Sequence, residues 1–450
     1  MTILTVDFGS TFTKGALIAA DGSVLATAST PTTGSGGSGE RRDVLDGYRV
    51  LRTLLDAPED VEVHACSSAG GGLRLAVVGY ERTVTAEAGH RVGLSAGAKV
   101  VHVAHGRLTT SDVAGLRHTR PDIILLVGGT DGGNSDVLLH NAARLGAGAV
   151  GGRGRHAVPI VLAGNREARA EATGVLEAAG RPVIHAENVL PEIGVIAPES
   201  ARHAIREAFL RHVIGGKGLS RDAAFARMVE AATPDAVLRG VEVVAETRAD
   251  GDVLVVDIGG ATTDVYSVIS PEGEDASLRK DVVAPLWHAR TVEGDLGMRW
   301  NAEHVVEAAE SEHLLGGVAD AEALRSYAAH VHERPGSLPA DDVERRLDLE
   351  LARLAALIAV RRHARPAQPT ESPRPLANVT TLIGSGGVLR HTDEAGRGLV
   401  LDAVLGDHAG GWKVPRSATG AVDAAYLLYA VGLLDGHDPA LARVVAAQLG

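Results

Sequence analysis

Two short stretches carry residue types suited to handling a polyanion. Val6-Asp7-Phe8-Gly9-Ser10-Thr11-Phe12-Thr13-Lys14 is matched in the second half of the chain by Val256-Asp257-Ile258-Gly259-Gly260-Ala261-Thr262-Thr263-Asp264. In each, an Asp ends an apolar run, glycine and hydroxyl residues follow, and a second apolar run begins. That order predicts a buried strand, a tight bend rich in N–H and hydroxyl donors, and a returning strand. Gly9, Gly259 and Gly260 let the main chain approach phosphate oxygens, while amides and the hydroxyls of Ser10, Thr11, Thr13, Thr262 and Thr263 donate to them. Asp7 and Asp257, one at each strand end, have the hard oxygen chemistry that holds a hydrated Mg2+ and offsets the charge of a triphosphate. Lys14 adds a point charge. One such bend alone is a generic turn; two in matching context, facing each other, would make a clamp.

A third glycine element follows the apolar run Val379-Thr380-Thr381-Leu382-Ile383. Consecutive small residues at Gly384-Ser385-Gly386-Gly387 allow backbone to lie flat against a purine or ribose, where a side chain would collide. Gly128-Gly129-Thr130-Asp131-Gly132-Gly133 reads as the counterpart of that element in the first half, as a structural turn rather than a ligand contact.

The elements that must carry these residues are predicted as follows. Val24–Ala28 continues the first hairpin into a three-strand meander, a flexible loop spans Gly34–Gly39, a helix runs through Val44–Leu55, and Val61–Cys66 returns to a strand. Pro121–Val127 and Pro159–Ala163 read as parallel strands with crossover helices. Residues 193 to 244 read as mainly helical, Thr291–Arg299 as a compact loop, the stretch from Asp341 to Arg362 as a helix with acids first and bases last, and Gly420–Leu434 as a helix of small and apolar residues.

Bulk properties bound the answer. With 450 residues, the chain accommodates two substantial domains. Aromatics are 3%, so the cores must be built from Ala, Val, Leu and Ile. A net charge of −13, from 44 Lys and Arg against 57 Asp and Glu, argues against a nucleic-acid partner held by phosphate contacts. Cys66 is the single cysteine, which excludes an intrachain disulfide or an all-cysteine cluster within one chain and points to a reducing, cytoplasmic setting. The N-terminus reads directly into a strand and no run of eighteen apolar residues occurs, so neither secretion nor a membrane partner is expected. Gly93-Leu94-Ser95-Ala96-Gly97 has the hydrolase elbow spacing in the wrong element order. Cys66 reads as a small core residue rather than a nucleophile.

The paired bends resemble the two phosphate loops of the superfamily of actin, sugar kinases and seventy-kilodalton heat-shock ATPases. Together with Ala65-Cys66-Ser67-Ser68-Ala69, Val127-Gly128-Gly129-Thr130-Asp131-Gly132-Gly133-Asn134 and Glu293-Gly294-Asp295-Leu296-Gly297-Met298-Arg299, they resemble more specifically the glutamate mutase accessory family, GlmL or MutL, which is distinct from the mismatch repair proteins of that name. The resemblance implies an α/β fold with duplicated actin-like, ribonuclease H-like ATPase domains around a nucleotide cleft. It implies a first such domain over 1–192, a mainly helical connection over 193–250, a second domain over 251–416 and a C-terminal helical hinge segment over 417–450. ATP and Mg2+ are the implied ligands, and the implied partners are subunits of an adenosylcobalamin-dependent mutase, whose damaged cofactor an ATP-driven chaperone would help exchange.

Carried onto this sequence, Asp7 and Asp257 hold Mg2+ through water. Ser10, Thr11, Gly259, Gly260, Thr262 and Thr263 bind phosphates, Lys14 stabilises charge during transfer to water, and Asp264 either orients the attacking water or caps the turn. A small-molecule kinase on the same fold is the main competing expectation; it requires an Asp poised over an acceptor hydroxyl, and the sequence offers no evident one. An electron-driving dehydratase activator requires cysteines on a shared cluster, which Cys66 alone does not supply.

Overall fold

The computed structural model describes residues 2–33, 43–69, 73–80, 89, 92, 98–148, 150–152, 157–193, 195, 197–209, 211, 219–220, 222–248, 251–269, 288–366, 373–409, 414–415 and 417–449. The glycine loop at 34–39 and the elbow-like 93–97 lie outside them. Packing divides the chain into two units, one holding Met1–Ala20 and Val24–Ala236, the other Asp21–Ser23, Val237–Ser270 and Trp287–Gly450.

In chain order the first unit contains β1 (Thr2–Phe8), β2 (Phe12–Ala19), β3 (Val24–Pro31), α1 (Val44–Leu54), β4 (Glu62–Ser67), β5 (Arg74–Gly79), β6 (Lys99–His105), α2 (Thr110–Thr119), β7 (Ile123–Leu126), α3 (Asp136–Gly148), β8 (Ile160–Leu162), α4 (Arg169–Ala178), β9 (Val183–His185), α5 (Glu199–Ala208), α6 (Ala223–Met228) and β10 (Val229–Ala232). Its leading sheet has the order β10-β4-β1-β2-β3. β1 to β3 form an antiparallel meander, while β4 and β10 join in parallel. α1 is fixed by a reciprocal cap in which the Asp43 side chain accepts from the helix and Asp46 reaches back. A second sheet in this unit, β6-β5-β7-β8-β9, is wholly parallel, as the crossover helices around β7 and β8 require.

The second unit opens within α7 (Thr233–Thr247) and continues through β11 (Val253–Ile258), β12 (Thr263–Val268), β13 (His288–Glu293), α8 (Ala302–Ser311), α9 (Ala321–Glu333), α10 (Asp342–Ala364), β14 (Thr381–Ser385), α11 (Gly387–Arg390), α12 (Glu394–Leu405), β15 (Thr419–Val422), α13 (Leu428–Asp435) and α14 (Pro439–Ala446). Its sheet order, β13-β12-β11-β14-β15, repeats the leading sheet of the first unit strand for strand, with the same senses of pairing. The fold is therefore the duplicated α/β arrangement of actin-like proteins, with a third, parallel sheet in the first unit. The cores are aliphatic: Leu4, Val6, Leu51 and Ile205 in one unit, and Leu254, Val256, Leu351 and Ile358 in the other, are fully buried, each contributing about 1.5–3 kcal/mol.

The 193–244 segment is mainly helical among its described residues, with β10 interrupting it to extend the leading sheet. Three expectations need correction. Thr291, Val292 and Glu293 end β13 rather than starting a loop. Gly420–Val422 is the parallel edge strand β15, and the helix starts only at Leu428. The small residues there form a strand because Gly384 and Ile383 of β14 offer unpaired backbone beside them. Finally, register places Cys66 beside Asp7 and Ser385 beside Asp257, so the counterpart of Gly384–Gly387 is Ala65–Ser68, not Gly128–Gly133. The latter turn follows β7 in the parallel sheet and is locked internally. Asn165 Nδ2 donates to Gly133 O at 2.9 Å, Asn188 Nδ2 to Gly129 O at 3.0 Å, and Gly132 N to Glu167 Oε2 at 2.6 Å.

Candidate active site

Each unit builds one hairpin from the same parts. The Gly9 amide donates to Phe12 O at 3.1 Å, and the Gly259 amide to Thr262 O at 2.9 Å. The bend is too tight for a side chain: a Cβ on Gly9 would stand 2.5 Å from Phe12 O, and one on Gly259 2.8 Å from Thr262 O. In the first hairpin a neighbouring strand end ties back the carbonyls, with Thr32 Oγ1 donating to Gly9 O at 2.8 Å and Thr32 N to Thr11 O at 2.9 Å. In the second, the segment after β13 does the same. Met298 N donates to Gly259 O, Arg299 N and Trp300 N to Gly260 O, and Asn301 Nδ2 to Ala261 O.

Among the described residues the amides of Ser10, Thr11, Gly260, Ala261 and Thr262 make no hydrogen bond. Backbone amides without an internal acceptor in such bends are donors available to an anion. The hydroxyls divide differently. Thr13 and Thr263 are fully buried, the first bonded to Thr32 Oγ1 at 3.1 Å and the second donating to Leu296 O at 2.6 Å. Ser10 and Thr11 are exposed, and Thr262 Oγ1 donates to Asp264 Oδ2 at 3.1 Å.

Asp7 ends β1 almost without solvent exposure. Thr233 Oγ1 donates to its Oδ1 at 2.5 Å, the Cys66 thiol lies 3.6 Å from the same oxygen, and Lys14 Nζ is 3.9 Å from Oδ2. Burial pushes the Asp7 carboxyl above its ordinary range, against the pull of Lys14, Thr233 and Cys66. Burial and then Asp7 push the Cys66 thiol well up, which keeps it protonated and inert.

Asp257 ends β11 half-buried, with Tyr426 Oη 3.4 Å from its Oδ2. Asp264, the register equivalent of Lys14, is held by Arg290, whose Nη2 and Nε donate to its Oδ1 at 2.7 and 3.1 Å. Burial alone would push the Arg290 guanidinium down; Asp264 and Tyr266 keep it raised. With Arg290 and Thr262 on its two oxygens, Asp264 braces the foot of the second hairpin.

In the third element Gly384 is inside β14, where Leu389 and Leu401 fill the space a Cβ would need. Ser385 is buried at the strand end. Gly386, at φ +111°, abuts the Ile258 backbone so closely that a Cβ would lie 2.2 Å from its carbonyl oxygen. Gly387 has nothing within 4 Å of its missing Cβ. The fold gives a packing reason for the first two glycines and none for the third.

Thr233, Tyr426, Arg290 and the Thr32 and 298–301 braces escaped sequence reasoning. Thr233-Pro234-Asp235 is a recognisable helix start directly after Val229-Glu230-Ala231-Ala232, and would have placed Thr233 at a helix N-terminus. As for an Mg2+ ion, Asp7 and Asp257 are hard oxygen donors at equivalent strand ends, and both have partners that orient them, so the donor chemistry fits.

Residues 3–449 match the family described as MutL protein. A curated relative, Protein MutL of Clostridium tetanomorphum, is 35% identical over 456 residues, covering 96% of this chain and 95% of that protein. Solved structures resemble the chain more distantly. An ATP-dependent caprolactamase from Pseudomonas jessenii is 16% identical, with 96% of this chain and 70% of that one covered and a TM-score of 0.39. A ROK family glucokinase from Streptomyces griseus, in complex with glucose and AMPPNP, is 12% identical, with 97% and 98% covered and a TM-score of 0.33.

Proposed function

Because the chain belongs to the MutL protein family, we propose that it binds and hydrolyses Mg·ATP with its two hairpins and spends that turnover on an adenosylcobalamin-dependent mutase, glutamate mutase or a related aminomutase, as an accessory chaperone. The observation that carries the ATP reading is the duplicated hairpin whose carbonyls are tied into the fold and whose amides at Ser10, Thr11, Gly260, Ala261 and Thr262 point elsewhere.

In this reading the outward amides and the exposed hydroxyls of Ser10 and Thr11 bind phosphate oxygens. Asp7 and Asp257 would hold Mg2+ through water, and the ion would supply charge neutralisation across the phosphates. Thr233 holds one oxygen of Asp7, which leaves the other directed toward Lys14. Lys14 adds positive charge against the negative charge on the transferred phosphoryl group. Asp264, already engaged by Arg290, serves by holding the second hairpin rather than by taking a proton. Gly387 offers an open backbone face for the nucleoside, next to Gly386 at the end of β14. The partner assignment rests on the family resemblance, and cytoplasmic residence on the single buried Cys66; no helix among the described residues is long and apolar enough to cross a membrane.

Two measurements test this. Purified protein should release phosphate from ATP only with Mg2+, and a tagged copy should retain cobalamin-dependent subunits from its own cell extract, with release altered by ATP. ATP consumption that is stoichiometric with a phosphorylated metabolite would replace the accessory role with a kinase.

A further inference from the structure

Tyr426 stands apart from the other described non-glycine residues in the left-handed region. Asp56, Arg120 and His313, at φ +49°, +44° and +57°, each lie at the C-terminal end of a helix, where that conformation ordinarily terminates the turn. Tyr426, at φ +60°, instead precedes one: α13 begins two residues later. A bulky residue in this region is strained, and such strain persists only where the surroundings enforce it.

Contacts from Asp423 and Arg390 enforce it. The buried Asp423 carboxylate accepts from Leu427 N at 2.7 Å and Leu428 N at 3.0 Å, fixing the chain just beyond Tyr426, while Tyr426 N donates back to Asp423 O at 3.3 Å. The Arg390 guanidinium lies 5.6 Å from the Tyr426 ring centroid, and its Nε donates to Ala424 O at 2.9 Å. The outcome is a phenol aimed at Asp257, with Oη 3.4 Å from Oδ2. Arg390 is the last residue of α11, whose first residue is Gly387.

We propose that Tyr426 is a positioning residue for Asp257, orienting that carboxylate for the hydrated divalent cation, and that Arg390 ties this orientation to the glycine turn at Gly386–Gly387. The proposal rests on the reading of Asp257 as a metal-holding group. An outer partner that fixes a ligand carboxylate acts on metal affinity rather than on nucleotide affinity as such.

The test uses Mn2+ as the probe, followed by electron paramagnetic resonance in the full-length protein with ATP. Nucleotide affinity without metal is measured in parallel with a fluorescent ATP analogue in EDTA. Tyr426→Phe keeps the ring and loses the hydroxyl; it is expected to weaken Mn2+ binding about tenfold, the low end for outer-shell partners, with affinity in EDTA unchanged. Tyr426→Gly relieves the backbone strain and should show the same metal defect without a lower melting temperature. Arg390→Ala should shift Mn2+ affinity in the same direction by less. Unchanged Mn2+ affinity in Tyr426→Phe, or a parallel fall in EDTA affinity and melting temperature in both tyrosine variants, overturns the proposal. If Asp257→Asn also leaves Mn2+ affinity untouched, the metal-clamp reading falls with it.

Discussion

Thr233 donates its hydroxyl to Asp7 Oδ1 at 2.5 Å, joining the first turn of α7 to the end of β1 in the first unit. β10, a strand of four residues paired in parallel with β4, delivers Thr233 to that point. Asp7 is a carboxylate that burial drives toward protonation and that this hydrogen bond helps keep ionised. Thr233→Val preserves shape and removes the bond. The Asp7 carboxyl then rises further, so the acid limb of the ATPase pH profile should move to higher pH with its plateau retained.

The same burial gives Asp7 a stability signature. Its folded pKa lies above the ordinary value of 3.8, so the metal-free protein loses stability as pH rises through the folded pKa. Asp7→Asn should therefore melt higher than the parent at neutral pH in EDTA, and the gap should close on acidification. A variant that melts lower than the parent across the whole range would contradict the assignment of burial as the dominant cause.

Arg290 and Asp264 form a buried pair, with side chains 5% and 13% exposed. Arg290→Met leaves a carboxylate without its counter-charge at the base of the second hairpin and should cost about 3–5 kcal/mol in urea denaturation. The double change Arg290→Met with Asp264→Leu should recover most of that loss, because no unpaired charge remains.

Gly386 and Gly387 separate packing from ligand contact. Gly386→Ala meets the Ile258 carbonyl and a positive φ, so it should lower the melting temperature and nucleotide binding together. Gly387→Ala opens onto free space at the start of α11 and should leave the melting temperature unchanged while weakening ATP several-fold. Calorimetry on both variants checks the contrast; full ATP affinity in Gly387→Ala would remove that residue from the nucleotide site.

His363 is fully buried, with Nδ1 2.9 Å from Thr291 Oγ1 and Nε2 2.9 Å from Ser267 Oγ. Burial, then Arg374, pushes its pKa well below the ordinary 6.5. The unfolded chain takes up a proton near pH 6.5 where the folded one does not, so this stabilisation is complete above that pH and drains away as pH falls below it. His363→Asn should flatten the acid loss of stability between about pH 6.5 and 5 in chemical denaturation.

The hairpins were legible because glycine, threonine and aspartate at fixed spacing leave few backbone alternatives, and their repetition marked a duplication. Asp341 at the head of α10, and Arg361 and Arg362 at its foot, likewise announced that helix. Register was not legible. That Cys66 and Ser385 sit beside the two strand-end aspartates follows from parallel pairing of strands far apart in sequence, and no local pattern encodes it. Val229–Ala232 was missed because Val-Glu-Ala-Ala between two helices is too short to show a period of its own, and Thr419–Val422 because four residues leading into an apolar run read as helix until a neighbouring strand claims them. Tyr426 escaped because nothing in its sequence neighbourhood signals a left-handed tyrosine.

Whether both hairpins grip one triphosphate is read most directly by isothermal titration of Mg·ATP into the parent chain, Asp7→Asn, Asp257→Asn and the double variant. A single shared site predicts one ATP per chain, a loss of about tenfold or more in each single variant, and a double variant scarcely weaker than either, since neighbours on one ligand are non-additive. Two independent binding events, or single variants that bind and turn over ATP as the parent does, would contradict it.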